Sequence, residues 1–136
     1  MSFLSQPSLG VPVRYPYGYC KNPVVAGGAT DVLPATDADV FITRAGVNAM
    51  TLAAPKPGVY PAGSAVMQSL GDPGDDGKRL LVVATTAFAH TITTPANKVN
   101  GSLHLITFTA AVGNWVLLEA FNGSWWIIGA LNAAAT

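Results

Sequence analysis

The sequence predicts an all-β protein: an antiparallel β-sandwich or barrel, jelly-roll-like, with residues 1–36 as an extended N-terminal arm and residues 37–136 as the β-domain. Three observations carry this prediction. β-Branched, aromatic and other apolar residues come in short runs bounded by Gly, Pro, Asn and Asp, the rhythm of strands and turns. No stretch repeats apolar residues at the i, i+3, i+4 spacing of an amphipathic helix. Pro7, Pro12, Pro16, Pro23 and Pro34 recur before Ala35, which forbids a regular helix there and denies a central strand its ladder donors.

The arm is therefore read as extended or polyproline-like chain with Gly27-Gly28 as a joint. Within it Arg14-Tyr15-Pro16-Tyr17-Gly18-Tyr19 alternates tyrosines with stiffening or small residues, so the rings can project to one side. Tyrosine offers large contact area with few rotors to freeze, which suits docking on another subunit or partner. Folding back on its own domain is the plainer alternative. Arg14, Tyr15, Tyr17 and Tyr19 are the candidate partner-binding residues, while Cys20, alone and without a paired motif, reads as an ordinary contact residue.

Strand signals begin at Asp37. Val40-Phe41-Ile42-Thr43 and Ala49-Met50-Thr51-Leu52 flank a turn region at residues 44–48, and the proline-rich block 55–61 reads as a loop. A strand is expected at residues 65–70. Residues 71–77, rich in Gly, Asp and Pro, form the strongest turn signal and lead into a strand at 78–83, followed by a shorter one at 89–94. Residues 103–130 then organise the domain: Leu-His-Leu-Ile-Thr-Phe-Thr, Asn-Trp-Val-Leu-Leu-Glu-Ala-Phe and Ser-Trp-Trp-Ile-Ile-Gly-Ala, separated by residues 110–113 and by Asn122-Gly123. Asn-Gly supplies the positive φ angles of a type I′ hairpin, and an antiparallel three-stranded meander is the expectation.

The last two runs are apolar on both faces, Val116, Leu118 and Ala120 against Trp115, Leu117 and Phe121. A strand with one wet face alternates apolar with polar residues, so this sheet is expected to be covered on one side by a second sheet and on the other by a partner. Trp125 and Trp126 are adjacent and must point to opposite faces. Trp115, Phe121, Trp125 and Trp126 are accordingly assigned to the core or a subunit interface, with a sugar-stacking platform as the alternative for the outward tryptophan.

Composition supports association. Charged residues make up 10% of the chain, against roughly 25% in an ordinary soluble domain, and the mean hydropathy is +0.38. No apolar run reaches the length of a membrane helix, and the strands lack the consistent polar-in, apolar-out alternation of an outer-membrane barrel, so no membrane is expected. Seven basic and seven acidic residues leave a formal charge of zero, giving no electrostatic footprint for nucleic acid. No charged n-region with an apolar core stands at the N-terminus.

Catalytic chemistry finds no support. Asp72, Asp75 and Asp76 miss the alternating spacing and distal Glu of a calcium loop and read as a solvated turn. His90 and His104 are the two histidines, with no neighbouring carboxylates or thiols in sequence to complete a metal site. His104 shares a strand parity with Ile106 and Phe108. Ser64 lacks a Gly-x-Ser-x-Gly elbow, and Glu119 is the only glutamate, without the partner acid a glycosidase needs. No catalytic, metal or cofactor-binding residue is assigned.

The run Ala45-Gly46-Val47-Asn48-Ala49-Met50-Thr51-Leu52-Ala53-Ala54-Pro55, with Asp76-Gly77-Lys78, Ala89-His90-Thr91-Ile92-Thr93 and residues 116–125 ending in Asn122-Gly123-Ser124-Trp125, resembles β-structured bacteriophage virion proteins. That class includes small capsid decoration (cement) proteins and the β-domains of tail and head fibres. The resemblance covers residues 37–130 through short motifs. It implies a noncatalytic homotrimer on the capsid surface, made in the host cytoplasm and partnered with the major capsid protein. The chain has neither heptads nor collagen repeats for a shaft, which favours decoration over a receptor- or carbohydrate-binding fibre module.

Overall fold

The structure, a computed structural model, describes residues 23–60 and 71–136. Arg14, Tyr15, Tyr17, Tyr19, Cys20, Ser64 and the strand expected at 65–70 lie outside the described residues. The described residues form nine strands and no helix: β1 (Val24–Ala26), β2 (Ala38–Ile42), β3 (Ala49–Thr51), β4 (Arg79–Ala84), β5 (Thr91–Thr93), β6 (Leu105–Phe108), β7 (Trp115–Phe121), β8 (Ser124–Leu131) and β9 (Ala133–Ala135). They build a five-stranded sheet of order β1-β2-β4-β7-β8 and a four-stranded sheet of order β3-β5-β6-β9. Val40, Ile42, Leu80, Val82, Val116, Leu118 and Trp125 of the first face Met50, Ile92, Ile106 and Phe108 of the second, all fully buried. The molecule is a β-sandwich, not closed into a barrel.

Three expectations change. The sheets are mixed, since β1/β2, β2/β4 and β3/β5 pair in parallel. The reason is the path of the chain: between β2 and β4 it visits the opposite sheet as β3, and between β3 and β5 it visits the first sheet as β4. Each excursion over the other layer returns the chain beside its starting strand in the same direction. The three-stranded meander also fails. β6 pairs with β5 and β9, and only β7 and β8 form a hairpin, through Asn122 and Gly123 at φ 52° and 78°, as a type I′ turn requires.

The chain between β6 and β7 crosses from one sheet to the other, and Asn114 fixes the crossing. Its Nδ2 donates to the carbonyl oxygen and Oγ1 of Thr109, both at 2.8 Å, while its Oδ1 accepts from Asn132 Nδ2 at 3.2 Å. Finally, the sandwich begins earlier than residue 37. β1 is an edge strand of the larger sheet, Leu33 is buried, and Val32 bridges to Thr51 at the edge of the smaller one. Pro23 precedes β1 directly, a place where an edge strand tolerates it.

The acidic turn is a structural knot. Asp75 Oδ2 accepts the Lys56 N–H at 2.7 Å and Oδ1 the Lys78 ammonium at 2.9 Å, while Asp76 Oδ1 accepts the Asn122 N–H at 2.9 Å and Asp72 Oδ1 that of Gly74 at 3.0 Å. Gly74 is required here: its φ is 55°, and a Cβ would stand 2.6 Å from the Pro57 carbonyl oxygen and 2.7 Å from that of Lys56. Gly74→Ala is expected to cost about 1 to 3 kcal/mol, combining positive-φ strain with a backbone clash. A denaturation midpoint equal to wild type would show that the turn can open without loss.

Candidate interaction face

The outer face of the five-stranded sheet follows directly from the register. β4 and β7 alternate in burial, and over much of their length both sets of positions are apolar: Leu81, Val83, Trp115 and Leu117 point outward and are half-buried, followed by Arg79, Glu119 and Phe121 toward one end. Pairing aligns these into rows. Val25, Phe41, Val83, Trp115 and Leu131 form one apolar row across all five strands. The next row is Asp39, Leu81, Leu117 and Gly129, and the third is Arg79, Glu119 and Trp126. Val25 is 65% exposed and Leu131 47%, so no described segment covers the ends of the apolar row.

A register shift between Leu117 and Leu118 shapes the β8 side. A bulge places two residues opposite one and turns consecutive side chains toward the same side, so Ile128 joins Gly129 on the outer face. Gly129 lies under Trp115, so a Cβ there would stand 3.1 Å from the indole and make the ring shift by a few tenths of an ångström. The tryptophan pair divides as adjacency demands. Trp125 is fully buried and donates its Nε1–H to the Ala53 carbonyl at 2.9 Å, whereas Trp126 is 39% exposed and donates to the Phe121 carbonyl at 3.0 Å. Among the described residues, Trp126, Phe121, Ile128 and Glu119 line a shallow hollow of about 360 Å³. Tyr60 packs edge-on against Phe121 with ring centres 6.0 Å apart.

One end of the face is charged. Arg79 Nε donates to Glu119 Oε1 at 2.8 Å, and the Arg79 N–H donates to Asp37 Oδ1 at 2.7 Å. Asp39 stands in the middle row beside Leu81. The opposite sheet behaves differently. Its outward positions are Ala49, Thr51, Thr91, Thr93, Leu105, Thr107 and Ala134, small or hydroxyl-bearing groups apart from Leu105. Val32, Val47, Val59, Phe88 and Val112 are exposed singly in loops, whereas on the strands the large apolar side chains that are not buried lie mostly on the outer face of the larger sheet as contiguous rows, the pattern of an interaction site.

The structure does not bring the other candidates into a reactive arrangement. Among the described residues no group of three or more His, Cys, Asp and Glu could hold a metal ion. Glu119 is paired with an arginine rather than a second acid. His104 is exposed and its backbone joins the ladder to Thr136 and Thr94, while its strand partners Ile106 and Phe108 are buried.

His90 is buried and structural. Its Nδ1 accepts the Asn48 N–H at 3.1 Å, which leaves the proton on Nε2, 3.1 Å from Thr86 Oγ1; that hydroxyl donates to the Arg44 carbonyl at 2.7 Å. Asn48 continues the network through its Nδ2 to Asp31 Oδ2 at 2.8 Å. The neighbours facing the ring are Phe88 and Phe108, both edge-on.

Burial holds the His90 pKa below its ordinary value, against a smaller upward influence from the backbone of Thr86. A protonated Nδ1 would also lose the Asn48 contact. The unfolded chain therefore binds a proton more readily, and stability present above about pH 6.5 should fall as pH drops from there through the lower folded value. Asp75 is held below the usual carboxylate range, first by the Lys56 N–H and then by Lys78, so its contribution should be lost only below about pH 4. Denaturant midpoints from pH 8 to pH 3 should fall in two separate steps. His90→Gln should flatten the upper step alone, and persistence of that step would assign it to another group.

No family model matches the chain, and no curated protein matches it. The residues that sequence reasoning missed are Phe41, Leu81, Val83 and Arg79. The apolar residues among them carried a signal: residues 80–83 are apolar without alternation, the same two-sided pattern that marked β7 and β8.

Proposed function

We propose that this protein is a noncatalytic structural component of a bacteriophage particle, a homotrimeric capsid decoration protein that associates through the outer face of its five-stranded sheet and clamps neighbouring major capsid protein subunits. The observation that carries the association is the apolar row Val25, Phe41, Val83, Trp115 and Leu131, which runs the full width of a sheet in a chain with few charges. Covering such a row removes apolar area from water at about 25 cal/mol per Å². The virion setting rests on the resemblance of the short motifs at residues 45–55, 76–78, 89–93 and 116–125 to those of phage β-proteins. A trimer that binds only the closed shell adds its binding free energy to that state, and its several contacts reinforce one another through effective concentration.

Light scattering of the purified chain at micromolar concentration should give about three times the 14.0 kDa mass of the chain. A species of 14.0 kDa alone would remove the association. Counting copies in purified particles separates the settings: hundreds mean shell decoration, a few to tens mean a fibre, and none removes the virion reading.

Trp126 favours a second reading, a carbohydrate-binding fibre module, because its ring is exposed beside Glu119 at the rim of a hollow. Its Nε1–H and the Glu119 carboxylate are both engaged within the chain, which leaves few polar groups to orient a sugar. Saccharide-induced quenching of tryptophan fluorescence that disappears in Trp126→Ala would establish this reading over the first.

A further inference from the structure

We infer that the outer face of the five-stranded sheet is the seat of residues 11–19 of a second copy's N-terminal arm, so that the arms tie copies of this chain to one another. The inference rests on the association proposed above and names its contact.

Three observations converge. The arm has its own apolar stripe: Val11, Val13, Tyr15, Tyr17 and Tyr19 fall at every second position, separated by Pro12, Arg14, Pro16 and Gly18. A period of two is that of an extended segment with one buried side. Pro12 and Pro16 cannot donate to a ladder, so such a segment is suited to lying on a sheet through its side chains.

The dimensions agree. Residues 11–19 extend roughly 26 Å, and a five-stranded sheet is about 19 Å across its strand axes, so the stripe crosses the row from Val25 to Leu131 with a margin at each end. The charges agree as well. Residues 1–22 contain Arg14 and Lys21 and no acidic residue. The charged end of the face holds Asp37 and Glu119 with Arg79 between them.

The direction of the chain selects a second copy over the arm's own domain. β1 runs parallel to β2 and enters the sheet from the charged end, where Val24 stands beside Val40. Pro23 fixes its own φ and disfavours a tight reversal at the residue before it, so seating the arm on its own face would require the chain to double back within the few residues ahead of β1. Gly18 is the first glycine upstream, and a reversal before it would use up Tyr19.

The test uses the full chain with Tyr17 replaced by the photo-crosslinking residue p-benzoylphenylalanine. Equal amounts of isotopically heavy and light protein are refolded together and illuminated, and the linked peptides are sequenced by mass spectrometry. Cross-links from position 17 to peptides of β4, β7 or β8, joining heavy to light chains as often as like to like, are the expected result. Links only within one chain would assign the seat to the protein's own arm and overturn the inference. Links elsewhere, in a protein that light scattering shows to be oligomeric, would also overturn it while leaving the association standing. A chain monomeric by light scattering would instead remove the association itself. As a second variant, Tyr15→Ser, Tyr17→Ser and Tyr19→Ser combined should raise the dissociation constant at least tenfold with the cooperative melting of the sandwich retained. Unchanged association of a folded triple variant would count against the arm.

Discussion

Trp125→Ala should lower the stability of the protein by about 3 to 5 kcal/mol, the range for truncating a fully buried tryptophan, and its thermal midpoint by roughly 10 °C or more. The position explains the size. Trp125 is the largest fully buried side chain among the described residues and sits on β8, the edge strand of the larger sheet. Its ring reaches the segment after β3, where Nε1–H meets the Ala53 carbonyl. Its backbone also binds the loop beside it, since its N–H donates to the Lys98 carbonyl and its carbonyl accepts the Asn100 N–H. Truncation removes apolar contact between the layers and strands the Ala53 oxygen, which alone costs about 1 to 3 kcal/mol if water cannot reach it. Trp125→Phe should fall between wild type and Ala. Trp126→Ala, on the half-exposed side, should cost about 1 kcal/mol or less in the isolated fold. Equal denaturation midpoints for the two alanine variants would contradict this division of roles.

On the association proposed above, Leu117→Glu should weaken the contact between copies and leave the protomer folded. Leu117 lies in the middle row of the outer face, between Leu81 and Gly129, and is half-buried by its neighbours on the strands. In a free protomer the new carboxylate can turn to water. Beneath a docked segment it must be desolvated, at an effective penalty of several kcal/mol, and each 1.4 kcal/mol weakens binding tenfold. The association should therefore weaken by about a hundredfold or more. Light scattering reads the mass, and circular dichroism with thermal melting shows whether the sheet persists. A folded Leu117→Glu protein of wild-type mass would place the subunit contact elsewhere.

How much of this was legible in the sequence depended on whether the signal was local. Strand positions followed from apolar runs and turn residues: β2, β3, β4, β7 and β8 lie where patterning put them. The hairpin at Asn122-Gly123 was legible because its positive φ angles are a property of those two residues. The opposite fates of Trp125 and Trp126 followed from adjacency on a strand, and the two-sided polarity of β7 announced an apolar outer face. Which tryptophan was buried did not follow, since alternation fixes only that the two differ.

Local patterning reached the all-β class, the strands other than β1 and β9, and a sheet with apolar residues on both faces. Only the tertiary structure decided which strands are partners. Residues 110–113, within the six that join β6 to β7, looked like a hairpin loop, yet Asn114 bonds to Thr109 and Asn132 and carries the chain to the other sheet. Likewise the rows that bring Val25, Phe41 and Val83 beside Trp115 join residues up to ninety positions apart. Turn chemistry acts over a few bonds and is written in neighbouring residues. Strand pairing across layers is settled by how the whole core closes, with Met50, Ile92, Ile106 and Phe108 meeting the inner face of the larger sheet, and that energy belongs to no local stretch of chain.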